Sequence, residues 1–126
     1  MPIKLSQPSK QLATRLLREL DFEERLTGIR VTPMAGDKNV SIYSFHDLIE
    51  FLHVDLGYGY AKTSGSIGYM DLTKLIKSIE EVFGDKELAV AIREKVEKDN
   101  SYAERVWSIQ VLLKERFKQC EEVTAV

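Results

Sequence analysis

The three prolines of this 126-residue chain, Pro2, Pro8 and Pro33, all precede Met34. From Met34 onward every residue carries a backbone N–H, so nothing interrupts long helices. The apolar spacing downstream follows that freedom. Asp71 is placed to cap a helix in which Leu72, Leu75, Ile76, Ile79 and Phe83 recur at i, i+3, i+4 and i+7, and Gly84 is placed to end it. Asp85 starts the next helix, with Glu87 in its first turn and Leu88, Ile92 and Val96 on its inner face. Asp99-Asn100-Ser101 is a break, with Ser101 and Glu104 spaced as a capping box. A last helix is expected from Tyr102 to about Glu122.

The proline-bearing part reads differently. Pro8-Ser9 opens a helix whose stripe is Leu12, Leu16 and Leu20, with Ala13 and Leu17 alongside. Asp21 and Glu24 resemble a capping box, so this helix is expected to bend there and run on to Leu26, ended by Thr27-Gly28. Ile29 to Pro33 and Val40 to Tyr43 alternate apolar and polar residues around a turn-rich segment from Ala35 to Asn39, the pattern of a β-hairpin. Pro33 cannot donate to a ladder, so its strand should lie at an edge or stop there. An isolated hairpin is marginal in water. Ser66 to Met70, with Ile67 and Tyr69 alternating, is the internal candidate for a third strand. The expected fold is therefore α+β and mainly α: about five helices and one small antiparallel hairpin, in a single domain over residues 1–126.

Unusual residues gather between Tyr43 and Asp71. Both histidines, four of the seven glycines and four of the five tyrosines lie there. Ser44 is a natural N-cap for a helix from Phe45 to Leu56, closed by Gly57. Its inner face carries Phe45, Leu48, Ile49, Leu52 and Leu56; beside that face His46, Glu50 and His53 line up at i, i+4 and i+7. Two imidazoles and a carboxylate in line form a candidate metal site. Helical di-metal sites, however, need a second Glu-x-x-His, which a chain with two histidines cannot supply. The plainer reading is a boundary stripe of hydrogen-bonded side chains, and no cofactor is assigned.

The loop from Gly57 to Met70 holds one charge, Lys62. Its GYGYAKTSG run departs from the phosphate-binding P-loop, because alanine precedes the lysine and a helix, not a strand, precedes the loop. Tyr58, Tyr60, Lys62, Thr63, Ser64 and Tyr69 remain as candidate ligand-binding residues, with a tight-turn connector as the alternative. A cleft bordered by His46, Glu50 and His53 and closed by the segment from Tyr58 to Tyr69 is the expectation for a small-ligand or metal-binding protein.

Catalysis has little to stand on. Cys120 lies on the apolar stripe of the last helix, without a neighbouring base, and should pack there as a small hydrophobe. Ser64 and Ser66 lack a strained strand-to-helix elbow. A formal charge of −2 argues against generic nucleic-acid binding. The basic residues Lys4, Lys10, Arg15 and Arg18 read as a solvated helix face answered by Glu19, Asp21, Glu23 and Glu24. No apolar run approaches a membrane span and the N-terminus lacks a signal-peptide core, so a cytoplasmic location is expected.

The first functional expectation is instead a non-catalytic interaction or regulatory domain. Val106, Ile109, Leu113, Phe117 and Cys120 stripe the last helix, and Trp107, Val111 and Leu112 widen the stripe well beyond one seam. Such a helix is either central or shared between subunits. Self-association is expected through Trp107, Val111 and Phe117, with Arg116 on the polar side; a further protein partner is compatible with the same surface.

Overall fold

A computed structural model describes residues 5–32, 36–52, 67–98 and 101–125. Among these, five α-helices and a three-stranded antiparallel sheet form the fold. The chain begins with α1 (Lys10–Leu17), which Ser9 caps by accepting from Leu12 N–H. A single 3-10 turn over Phe22–Glu24 follows. Strands β1 (Leu26–Thr32) and β2 (Gly36–Ile42) make the hairpin. Helix α2 (Phe45–Phe51) starts on Ser44, whose hydroxyl accepts from Asp47 N–H. The short β3 (Ile67–Tyr69) then precedes α3 (Leu72–Glu81), α4 (Lys86–Lys98) and α5 (Tyr102–Thr124).

The start of the chain corrects the sequence reading. The first helix stops at Leu17 and does not run on to Leu26. The Asp21/Glu24 capping box is present, but it opens the 3-10 turn only. Leu26, Thr27 and Gly28 belong to β1. The competition is between helical propagation and a buried ladder. Leu26 pairs with Ile42, both are buried, and that pair anchors the hairpin against the helices. The register from this pair then extends the ladder to Thr32 opposite Gly36, so residues 36–39 lie in β2 rather than in a turn. Strand β1 stops at Thr32, just before Pro33, as a residue without an N–H requires.

Sheet order is β2-β1-β3, with Ile29 opposite Tyr69 and Val31 opposite Ile67. The candidate third strand is therefore real. One face of the sheet closes on α2 through Gly28. A Cβ at that glycine would lie 2.7 Å from Phe51 Cε1, so the ring of Phe51 fills the place of a side chain. Arg30 reaches the same ring, with its guanidinium 5.1 Å from the centroid and Nη2 donating to Phe51 O at 3.0 Å.

The helices enclose the core, and α5 is its axis. Val106, Ile109, Leu113 and Cys120 on α5 are fully buried, in one cluster with Leu16, Leu48, Phe83 and Ile92. Cys120 is thus the small hydrophobe that its stripe implies, and burial pushes its thiol up to about 11. Two basic residues of the first helix and its C-cap, exposed Arg15 and half-buried Arg18, also have partners within the chain. Arg15 donates from Nε to Val82 O at 3.1 Å and from Nη2 to Glu81 O at 3.2 Å, closing the carbonyl end of α3. Arg18 holds Glu24 in a two-pronged pair at 2.9 Å and 2.8 Å. Arg116, expected on a polar face, is 1% exposed. It meets Asp85 at 2.8 Å and Glu87 at 2.9 Å, and it donates to Ser6 O at 2.6 Å. This knot ties the N-terminal segment, the start of α4 and α5 together.

Candidate functional site

The burial of α5 divides cleanly around its axis. At about 100° per residue, Val106, Ile109, Gln110, Leu112, Leu113, Arg116 and Cys120 fill a little under half of the circumference, and all are buried. Gln110 is accommodated there by donating to Ile49 O at 3.1 Å. On the opposite side Glu104, Trp107, Val111, Lys114 and Lys118 are all exposed and share one narrow stripe. Helix α5 is therefore both central and, along that stripe, exposed. Trp107 keeps 49% of its surface accessible and Val111 keeps 47%. They stand one turn apart, an apolar pair between an acidic residue toward the N-terminus and two basic residues toward the C-terminus.

Phe117 does not join this stripe. It is partly buried and faces α2, where its ring meets Phe45 edge-on at 6.3 Å and lies 5.8 Å from His46. Of the three expected interface residues, the structure brings two together and turns the third inward.

The expected metal and ligand residues fare differently. His46 and Glu50 are on α2 with Nε2 3.5 Å from Oε1, and both side chains are well exposed. His53, Tyr58, Tyr60, Lys62, Thr63 and Ser64 lie outside the described residues. Among the described residues no group of three or more His, Cys, Asp and Glu side chains is arranged to hold a metal ion. Tyr69 is on β3 and stacks on Tyr102 with centroids 5.1 Å apart. The Tyr102 hydroxyl accepts from Met70 N–H at 2.8 Å. Burial raises the pKa of that hydroxyl, against the lowering effect of the hydrogen bond. Tyr69 is thereby fixed to the start of α5.

Sequence spacing alone shows that α5 is apolar over much of its surface. It does not show which residues face out, because that depends on where α1, α2 and α4 pack. The placement of Glu104 before Trp107 and Val111, and of Lys114 and Lys118 after them, is the sequence signal that marks the outward stripe. Among the described residues no helix is long and apolar enough to cross a membrane. Comparison with protein families, with curated proteins and with solved structures gives no match.

Proposed function

We propose that this chain is a small non-catalytic interaction domain of the cytoplasm that pairs with a second copy of itself through the outward stripe of α5. One observation carries the reading: an exposed tryptophan and valine are bracketed by opposite charges on a single helix face. An antiparallel, two-fold pairing about the level of Ile109 sets Trp107 against the partner's Val111. The same operation sets Glu104 against the partner's Lys114, and each contact occurs twice. A parallel pairing would instead set like charges together, which is unfavourable. Two apolar side chains cannot cover the ~800 Å² per partner of a standard interface. The contact therefore runs along the stripe from Glu104 to Lys114, about 15 Å of helix, with flanking side chains adding to it, and the pairing is concentration-dependent.

The charges make the test. Glu104→Lys alone sets Lys against the partner's Lys114, and Lys114→Glu alone sets Glu against the partner's Glu104. Each single variant is expected to weaken association, and the double variant Glu104→Lys, Lys114→Glu is expected to restore it. Analytical ultracentrifugation measures this. Equal association in all four proteins would remove the antiparallel stripe as the interface. Among the described residues the exposed His46–Glu50 pair brings two potential ligands together, fewer than a metal site requires.

A further inference from the structure

A groove lies on the outer face of the sheet and continues beside α3. Its first hollow, ≈ 500 Å³, has Ile29 and Tyr69 on the sheet and Asn39 and Ser41 on β2. The second, ≈ 290 Å³, continues past Lys77 and Ser78 on α3. Arg25 and Lys74 line both, so the two hollows join at a pair of cations.

Arg25 is the informative residue. Its Nη1 donates to Phe22 O at 2.7 Å, and its guanidinium lies 3.8 Å from the centroid of the Phe22 ring. Those contacts fix the plane of the group. They leave the Nε side unused: Nε is buried and has no hydrogen-bond partner among the described residues. Arg25 lines both hollows, so its guanidinium is the cation that an oxyanion in either of them would meet. Lys74 and Lys77 add two further positive charges along the same wall. Of the two carboxylates there, Asp71 already accepts from Thr73 N–H and Lys74 N–H as the α3 cap. Glu81 lines the second hollow together with Lys77 and partly offsets its charge there.

The other end of the groove has different chemistry. Ile29 and Tyr69 are cross-strand partners, each 44% exposed, and Tyr69 is held by its stack on Tyr102. Asn39 pairs with Ile29 and Ser41 with Thr27, which adds amide and hydroxyl groups to the same face. A flat organic body with a polar edge matches that floor, because aromatic and aliphatic side chains supply area and a few polar groups set orientation.

We propose that the groove binds a phosphorylated small molecule with a flat organic body, of the nucleoside monophosphate class. The phosphoryl group sits on Arg25, Lys74 and Lys77, and the organic body lies over Ile29 and Tyr69. Against Asp71 and Glu81, the three cations Arg25, Lys74 and Lys77 leave the wall net positive, which favours an oxyanion such as a phosphate monoester. The site is independent of the α5 stripe.

Isothermal titration calorimetry on the intact chain tests it, with adenosine 5′-monophosphate, adenosine and inorganic phosphate as probes. The monophosphate is expected to bind saturably, and each fragment at least about tenfold more weakly. Arg25→Ala and Lys74→Gln are each expected to weaken the monophosphate by about tenfold or more, the loss of a charge-assisted contact. Arg25→Lys should not restore it, since an ammonium lacks the fork, and Lys38→Gln, outside the groove, should bind as the parent does. Lys74 is exposed on α3, so its variant keeps the test decisive if Arg25→Ala unfolds. Three results would overturn the proposal: no saturable binding of the monophosphate, phosphate binding as tightly as the monophosphate, or unchanged affinity in the folded variants.

Discussion

Arg116 shows how much one residue can hold. Its guanidinium is buried, and its partner Asp85 is 1% exposed and also caps α4 by accepting from Leu88 N–H at 3.0 Å. Removing the cation leaves a carboxylate buried without its counter-charge. Arg116→Ala is therefore expected to cost about 3–5 kcal/mol, read from the midpoint and slope of urea unfolding. A loss below about 1 kcal/mol would mean the pair is solvated rather than buried. Neighbouring carboxylates predict the acid response. The two-pronged Arg18 contact holds Glu24 down to about 2, and Ser6, then Arg116, also lower Glu87. Both groups bind fewer protons folded than unfolded. Their stabilisation is thus complete above the ordinary carboxylate range and is lost as pH falls through it toward 2. The melting temperature should fall over that window, and less steeply in Glu24→Gln. A parallel fall in both proteins would show that the Arg18–Glu24 pair contributes nothing.

Elements are legible in the sequence where one physical rule acts alone. Asp71, Asp85 and Ser101 each accept the backbone bond their position implies, and α3, α4 and α5 start where those caps predict. Gly84 ends α3 with φ +76, the left-handed conformation that its place after the apolar stripe suggests. The partner across the turn is not legible: a Cβ at Gly84 would lie 2.8 Å from Arg15 Nη1, and Arg15 is the residue that satisfies the α3 carbonyls. Gly84→Ala is accordingly expected to destabilise by about 1–2 kcal/mol from backbone conformation alone, and by more if Arg15 is displaced. Thermal and urea unfolding of Gly84→Ala and Arg15→Ala, singly and together, separate the two effects. Strict additivity would show that Arg15 and Gly84 are uncoupled. Residues 20–28 mislead for a related reason. A leucine repeat and a capping box both favour helix locally, and only the pairing of Leu26 with Ile42, far along the chain, overrides them.

Once assembled, the chain sets its small sheet to one side and packs five helices around an apolar core threaded by α5. The hairpin and its third strand can be read from alternation. Their exposed outer face, with Arg25 and Lys74 beside it, cannot, because it forms only when β1 lies between β2 and β3 next to α3. Trp107 shows the same limit. Its position beside the core stripe makes it a candidate contact, yet only the packing of the other helices decides that it stays outside while Leu112 and Leu113 turn in. Whether this stripe joins two copies of the chain is a question of mass, and sedimentation equilibrium across the micromolar range weighs the association itself. The mass should rise with concentration from the 14.4 kDa of one chain toward twice that value, and a Trp107→Glu protein, still folded, should stay at one chain throughout. A parent protein that remains at 14.4 kDa at every concentration, or a Trp107→Glu protein that associates as the parent does, would contradict the pairing.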